Sequence, residues 1–232
     1  MLAIFNKGLV NPPQELHSPA SLSSSRKPKH PEEIFNEFLI SQSSNAFSIN
    51  FGNAAALAYV PPENPNSVSQ RWFCGLHNVY CMFMGSLNNL SSLNKQYGLS
   101  KGSNEAMFVI EAYRTLRDRG PYPAHQDADE GVRLFWGIAA DGSVVISDNL
   151  ELIKASCAKS FAPFPAGCMF HSEQGLMSFE HPTREMKAMP RIDSEGVMCG
   201  ANFKVDVQSR MRSMPRVGSE ANWALSGSHA WA

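Results

Sequence analysis

From Met1 to Val207 the apolar residues fall in short runs, and most runs are closed by proline, glycine or an Asn/Asp turn residue. Runs of that length suit strands. A chain built from many of them must stack its sheets, or cover a sheet with helices, to bury its apolar faces. Met1 to Val10 reads as an opening strand stopped by Asn11-Pro12-Pro13. Phe47–Asn50 and Ala54–Val60 read as strands, and Val79–Met84 as a buried one. Val132–Ile138 and Ser143–Ser147 flank Ala140-Asp141-Gly142, where Asp-Gly is a strong tight-turn signal. Cys168–His171 can pair with Gly175–Phe179 around Ser172-Glu173-Gln174, and Ala201–Val207 is a last strand.

Helical spacing enters at four places. Pro31–Leu39 puts Ile34, Phe35, Phe38 and Leu39 on one face, with acidic residues in its first turn. Leu87–Tyr97 carries Leu90, Leu93 and Tyr97. A third helix begins near Ser103 or Asn104, both good N-caps. It turns Met107, Ile110, Tyr113 and Leu116 inward and ends at Gly120-Pro121. Leu150–Ala158 is the fourth. The expected architecture is a layered α+β domain over residues 1–207, with a mobile surface loop at 18–31. A basic, then Ser/Gly-rich tail follows at 208–232.

Across the 232 residues, 20 basic side chains meet 21 acidic ones with no long basic block, so nucleic acid has little electrostatic support as a partner. No apolar run is long enough to span a bilayer, and the first residues lack the pattern of a secretory signal. The five cysteines, Cys74, Cys81, Cys157, Cys168 and Cys199, form no CxxC pair. They read as buried thiols in a reducing compartment, cytoplasmic with nuclear access. No zinc motif and no phosphate-binding glycine loop is present, so neither metal nor cofactor is expected. His77 lies near Cys74 and Cys81, which invites a Cys/His hydrolase, but sequence neighbours rarely form such a site and it reads as a core or surface histidine. His171 and His181 flank a hairpin with no recognisable carboxylate orienter. Glu32-Glu33 and Asp127, Asp129 and Glu130 read as solvated surface. Ser23, Ser24 and Ser25 beside Arg26, and Ser219 after Arg216, are phosphorylation candidates.

Three segments are more distinctive than composition: Met1-Leu2-Ala3-Ile4-Phe5, Tyr97-Gly98-Leu99 and Leu116-Arg117-Asp118-Arg119. On them the chain resembles the plant family of aluminium-induced, stem-specific proteins with YGL and LRDR motifs. That family is similar to the class II glutamine amidotransferase domain of asparagine synthetase. The resemblance implies an N-terminal-nucleophile hydrolase-like αββα sandwich. In such enzymes the first mature residue supplies a thiol, backbone N–H and an Asn form an oxyanion hole, and an Asp holds the substrate amine.

Carried onto this chain, that machinery is degraded. Leu2 stands at the nucleophile position. A large second residue also favours retention of Met1, whose thioether has no proton to give. The oxyanion Asn-Gly falls on Met84-Gly85, so a donor worth about 2.7–4 kcal/mol in comparable sites is missing. The amine-binding Asp falls on Asn104, and no arginine follows Leu57-Ala58-Tyr59. Met84, Gly85 and Asn104 are thus a vestigial substrate pocket with no catalytic residue. The resemblance also implies a homodimer, and an internal deletion of a central strand pair near residues 124–131. The expected function is non-catalytic: a stress- or hormone-responsive plant protein acting by binding or self-association. The alternatives are an active amidotransferase or amidohydrolase with a relocated nucleophile, and a sensor of a glutamine-like metabolite.

Overall fold

The computed structural model describes residues 1–21, 27–41, 45–61, 70–98, 104–116, 133–172, 175–179, 181 and 184–209. In chain order the elements are β1 (Leu2–Phe5), α1 (Pro31–Ser41), β2 (Phe47–Asn50), β3 (Ala55–Tyr59), β4 (Arg71–Leu76), β5 (Val79–Met84), α2 (Leu90–Tyr97), α3 (Glu105–Leu116), β6 (Phe135–Ile138), β7 (Val144–Ser147), α4 (Leu150–Cys157), β8 (Phe161–Pro163), β9 (Cys168–His171), β10 (Gly175–Ser178), β11 (Met186–Ile192) and β12 (Met198–Val205). Helices are thus mixed with antiparallel strands. The described residues form two compact units, one drawn from residues within 1–61 and 133–209, the other from residues within 70–116.

The first unit is organised by a six-stranded sheet in the order β2-β3-β1-β7-β6-β8. β1 lies inside it. It pairs with β3 from Leu2↔Ala58 to Phe5↔Ala55, and with β7 from Leu2↔Ser147 to Phe5↔Val144. One face of the sheet is closed by helices. Leu2 and Ile4 cluster there with Ile34 and Phe38 of α1 and with Ile153 and Cys157 of α4. On the other face Trp136, Ile138 and Ala162 cluster with Leu16, Phe170 of β9, Leu176 of β10 and Phe203 of β12. The Trp136 ring meets Phe164 and Phe170 edge-on at 5.2 Å each, and Phe203 at 5.5 Å. A sheet covered on both faces needs apolar residues at successive positions. That explains the unbroken apolar runs of β1 and of Val144-Val145-Ile146, which send Val145 to one face and Ile146 to the other.

Local chemistry sets the helix ends. α1 starts on Pro31, where the missing N–H costs nothing, with Glu32 and Glu33 in the first turn. Asn149 caps α4 by accepting from the Glu151 and Leu152 N–H groups at 3.0 and 3.1 Å. α4 ends at Ala158 with φ 50° and ψ −113°, a conformation natural to glycine rather than alanine. Gly137 of β6 lets α4 approach closely: a Cβ there would lie 2.6 Å from Cys157 Sγ. Gly200 of β12 sits at φ 71° against the Phe161 carbonyl. Arg191 spans the same region. Its guanidinium lies 4.3 Å from the Phe161 ring centre and donates to the Phe161 carbonyl at 2.8 Å.

In the second unit β4 and β5 form a hairpin through His77-Asn78, and α3 packs against both strands. His77 takes a left-handed φ of 56°. Gly98, the middle residue of Tyr97-Gly98-Leu99, ends α2 at φ 65° and donates to the Lys95 carbonyl. Two expectations are corrected here. β5 is only half-buried, with Tyr80 41% exposed, and Tyr113 of α3 is 54% exposed rather than inward. A two-stranded hairpin offers a helix one narrow face, so α3 buries Ala106, Phe108 and Ile110 and leaves Tyr113 outside. The expected surface loop at 18–31 is also revised at its start. Ser18 and Ser21 are fully buried, because partners within the fold satisfy their hydroxyls. The region of the expected deletion, Asp127 to Glu130, Ser23 to Ser25 and the tail beyond 209 lie outside the described residues.

Two substitutions test this packing by chemical unfolding. Ala158→Gly should raise stability by about 1 kcal/mol, because the strained backbone is relieved. Gly200→Ala should lower it by about 2 kcal/mol, because the new methyl meets the Phe161 backbone.

Candidate functional site

The start of β1 is buried. The Met1 ammonium donates to Asp148 Oδ1 at 2.6 Å, and the two side chains are only 8% and 9% exposed. Ser147 Oγ donates to the Met1 carbonyl at 2.7 Å and accepts the Asn149 N–H at 3.1 Å. The end of β7 and the cap of α4 therefore hold the first residue in place. Leu2 follows with no exposed surface, packed in the helix-side core. An attacking group must reach solvent or substrate and give up a proton. Leu2 does neither.

The other expected site residues belong to the second unit. Met84 ends β5 opposite Arg71. Gly85 turns the chain at φ 110° and donates its N–H to the Gln70 carbonyl at 2.8 Å. Asn104 accepts the Met107 N–H at 2.9 Å, so its side chain caps α3. Met84 and Gly85 are sequence neighbours, whereas Asn104 serves another element. β3 carries Leu57-Ala58-Tyr59, as expected, and Val60 and Pro61 follow it.

Among the described residues, a serine–histidine contact at hydrogen-bond distance is tied up in structural hydrogen bonds. Ser160 Oγ lies 3.3 Å from His17 Nδ1, but it also accepts the Ser18 N–H at 3.0 Å and meets Ser21 Oγ at 2.7 Å, fully buried. Ser18 Oγ donates to the Met198 carbonyl. This network fastens the segment after Asn11-Pro12-Pro13 to the α4–β8 junction. No sequence motif announced it, because its members lie far apart along the chain. A cleft of about 650 Å³ opens where β1 ends, lined in part by Asn6, Phe35, Asn50 and Asp141. Its Ser143 hydroxyl is buried and donates to Asp141 at 2.8 Å.

The thiols fare no better. Burial pushes Cys157 well above the usual thiol range and raises Cys168. Burial, reinforced by nearby Cys74, pushes Cys81 up to about 11. These three stay protonated near neutrality and are weak nucleophiles. His77 occupies a tight turn, His171 lies in β9, and the His181 N–H donates to Ser178 Oγ at 3.3 Å. Glu33 accepts the His30 N–H, and Glu32 is exposed at the start of α1. Among the described residues no group of three or more His, Cys, Asp or Glu could hold a metal. Among them, too, no helix is long and apolar enough to cross a membrane.

The architecture defines a mixed helix and antiparallel-sheet protein whose first residues are part of the core. The chain belongs to the aluminium induced protein family, whose profile matches residues 2–127 and 124–205. It is 38% identical over 127 residues to "Stem-specific protein TSJT1" of Nicotiana tabacum, covering 54% of this chain and 83% of that protein.

Asp148→Asn removes the counter-charge of a buried ammonium and should cost about 3 kcal/mol in denaturant unfolding. Leu2→Ala should cost about 3 kcal/mol in the same experiment, as expected for a cavity in a packed core.

Proposed function

We propose that this chain is a non-catalytic member of its family. It carries an N-terminal-nucleophile hydrolase-like scaffold of αββα type, related to class II glutamine amidotransferase domains, over residues 1–207. It acts by binding or self-association, as a homodimer in the cytoplasm with access to the nucleus. The single observation that carries this reading is Leu2, fully buried at the place of the nucleophile. The layering of the first unit, with helices on one face of the sheet and hairpins on the other, supports the scaffold. A stress-responsive role is in keeping with the family's description as aluminium induced. The family profile matches in two stretches that meet at 124–127, which supports the loss of a strand pair near 124–131. Met84, Gly85 and Asn104 are then remnants of a substrate pocket.

The competing enzyme reading needs another nucleophile, and three of the five thiols are held protonated. Incubation of the purified chain with glutamine tests the choice, with ammonia release measured beside intact mass. No release above buffer is expected, and no glutamyl adduct. Turnover at enzyme-like rates that disappears when one cysteine is replaced by serine overturns the proposal.

A further inference from the structure

Cys74 and Cys81 stand directly opposite each other across the β4–β5 hairpin. Directly opposed residues of an antiparallel pair project to the same face, with Cα atoms about 4.5–5.5 Å apart. That interval lies inside the span a disulfide bridges, about 4.4–6.8 Å. Both thiols are free and half-buried. The Cys74 thiol is close enough to Cys81 to add to the upward push that burial gives its pKa. By contrast, Cys157 and Cys199 are buried in the first unit, and Cys168 pairs with Ser178 across its hairpin.

We propose that Cys74 and Cys81 form a reversible cross-strand disulfide when the protein meets hydrogen peroxide. Cys74 is the attacking sulfur. Its thiolate breaks the peroxide O–O bond and becomes a sulfenic acid, and the departing hydroxide leaves as water after taking up the thiol proton. Cys81 then displaces the sulfenic oxygen as a second water, closing the S–S bond. In sum, two thiols and one peroxide give one disulfide and two waters. Burial keeps Cys81 as the thiol in reserve, and its fixed position opposite Cys74 compensates for its weak acidity.

The geometry also makes the bridge a switch rather than a staple. Opposed Cβ atoms lie about 4.5–5.5 Å apart, whereas a relaxed disulfide holds them at about 3.5–4.5 Å. Closing the bond draws β4 and β5 together. Gly75, next to Cys74, has no side chain of its own to lock the strand, and the Tyr80 ring lies over it. A bond formed under such strain is the readily reduced kind. The loop it closes is short, so the bridge restricts the unfolded chain less than a long-range disulfide would. Its effect is local, passed to α3 through the strands it packs on.

Mass spectrometry of the full chain, treated with hydrogen peroxide and then alkylated, tests this. Trypsin leaves both cysteines on Trp72–Lys95, because no Lys or Arg lies between Arg71 and Lys95. That peptide should become two hydrogens lighter and resist alkylation, and cleavage after Tyr80 should leave its two pieces linked. Cys74→Ser and Cys81→Ser should each abolish the change, whereas Cys199→Ser should not. A glutathione buffer at cytosolic poise should restore both thiols. Two results overturn the proposal: both thiols alkylated after peroxide, or a sulfinic acid on Cys74 with Cys81 still free. A bridge that survives the glutathione buffer overturns its role as a switch. Circular dichroism of each variant shows that a lost bridge is not a lost fold.

Discussion

Placing the chain's first strand inside its sheet is the constraint on which the first unit depends. β1 has hydrogen-bonded neighbours on both edges, α1 and α4 over one face, and the Trp136 cluster on the sheet's other side. With Leu2 and Ile4 each worth about 1.5–3 kcal/mol when fully buried, β1 contributes to the core out of proportion to its length. The Met1–Asp148 pair extends that pairing to the terminal ammonium. A buried charge is tolerated only when paired and hydrogen-bonded, and Asp148 meets that need where β7 gives way to the α4 cap.

The same arrangement fixes where the first side chains go. An enzyme using its first residue must hold that residue against the sheet while leaving its side chain open to substrate. Here the backbone is held in that way, but the Leu2 side chain points into hydrocarbon. The network of Ser18, Ser21 and Ser160 makes a parallel point. Hydroxyls beside a histidine look like chemistry in a list of residues, yet each one fastens a connecting segment to the core.

Much of the fold was legible because strong local signals agreed with the final packing. The Asp141-Gly142 turn, the Pro31 start and apolar stripe of α1, and the hairpin around Ser172 all form where the residues indicate. The strands β4 and β11 were missed for a physical reason. In β11, Met186-Lys187-Ala188 mixes long polar and apolar side chains, so no apolar run marks it. In β4 the apolar run at 72–76 is interrupted by Gly75, a residue that weakens a strand signal. Tyr113 matched the helical period but not the width of the surface α3 covers. The Asn104 cap of α3 was legible from its capping chemistry. Asp148 was invisible, because its partner is the terminal ammonium 147 residues away.

The order in which a ribosome releases these segments adds a further consequence. β3 emerges soon after β1, so β2, β3 and β1 can zip together while synthesis continues. The opposite edge of β1 must then wait for Val144–Ser147. Until those residues arrive, a strongly apolar strand shows an unpaired side to the cell. Nascent copies are therefore most exposed to one another, and most in need of a chaperone, during that interval.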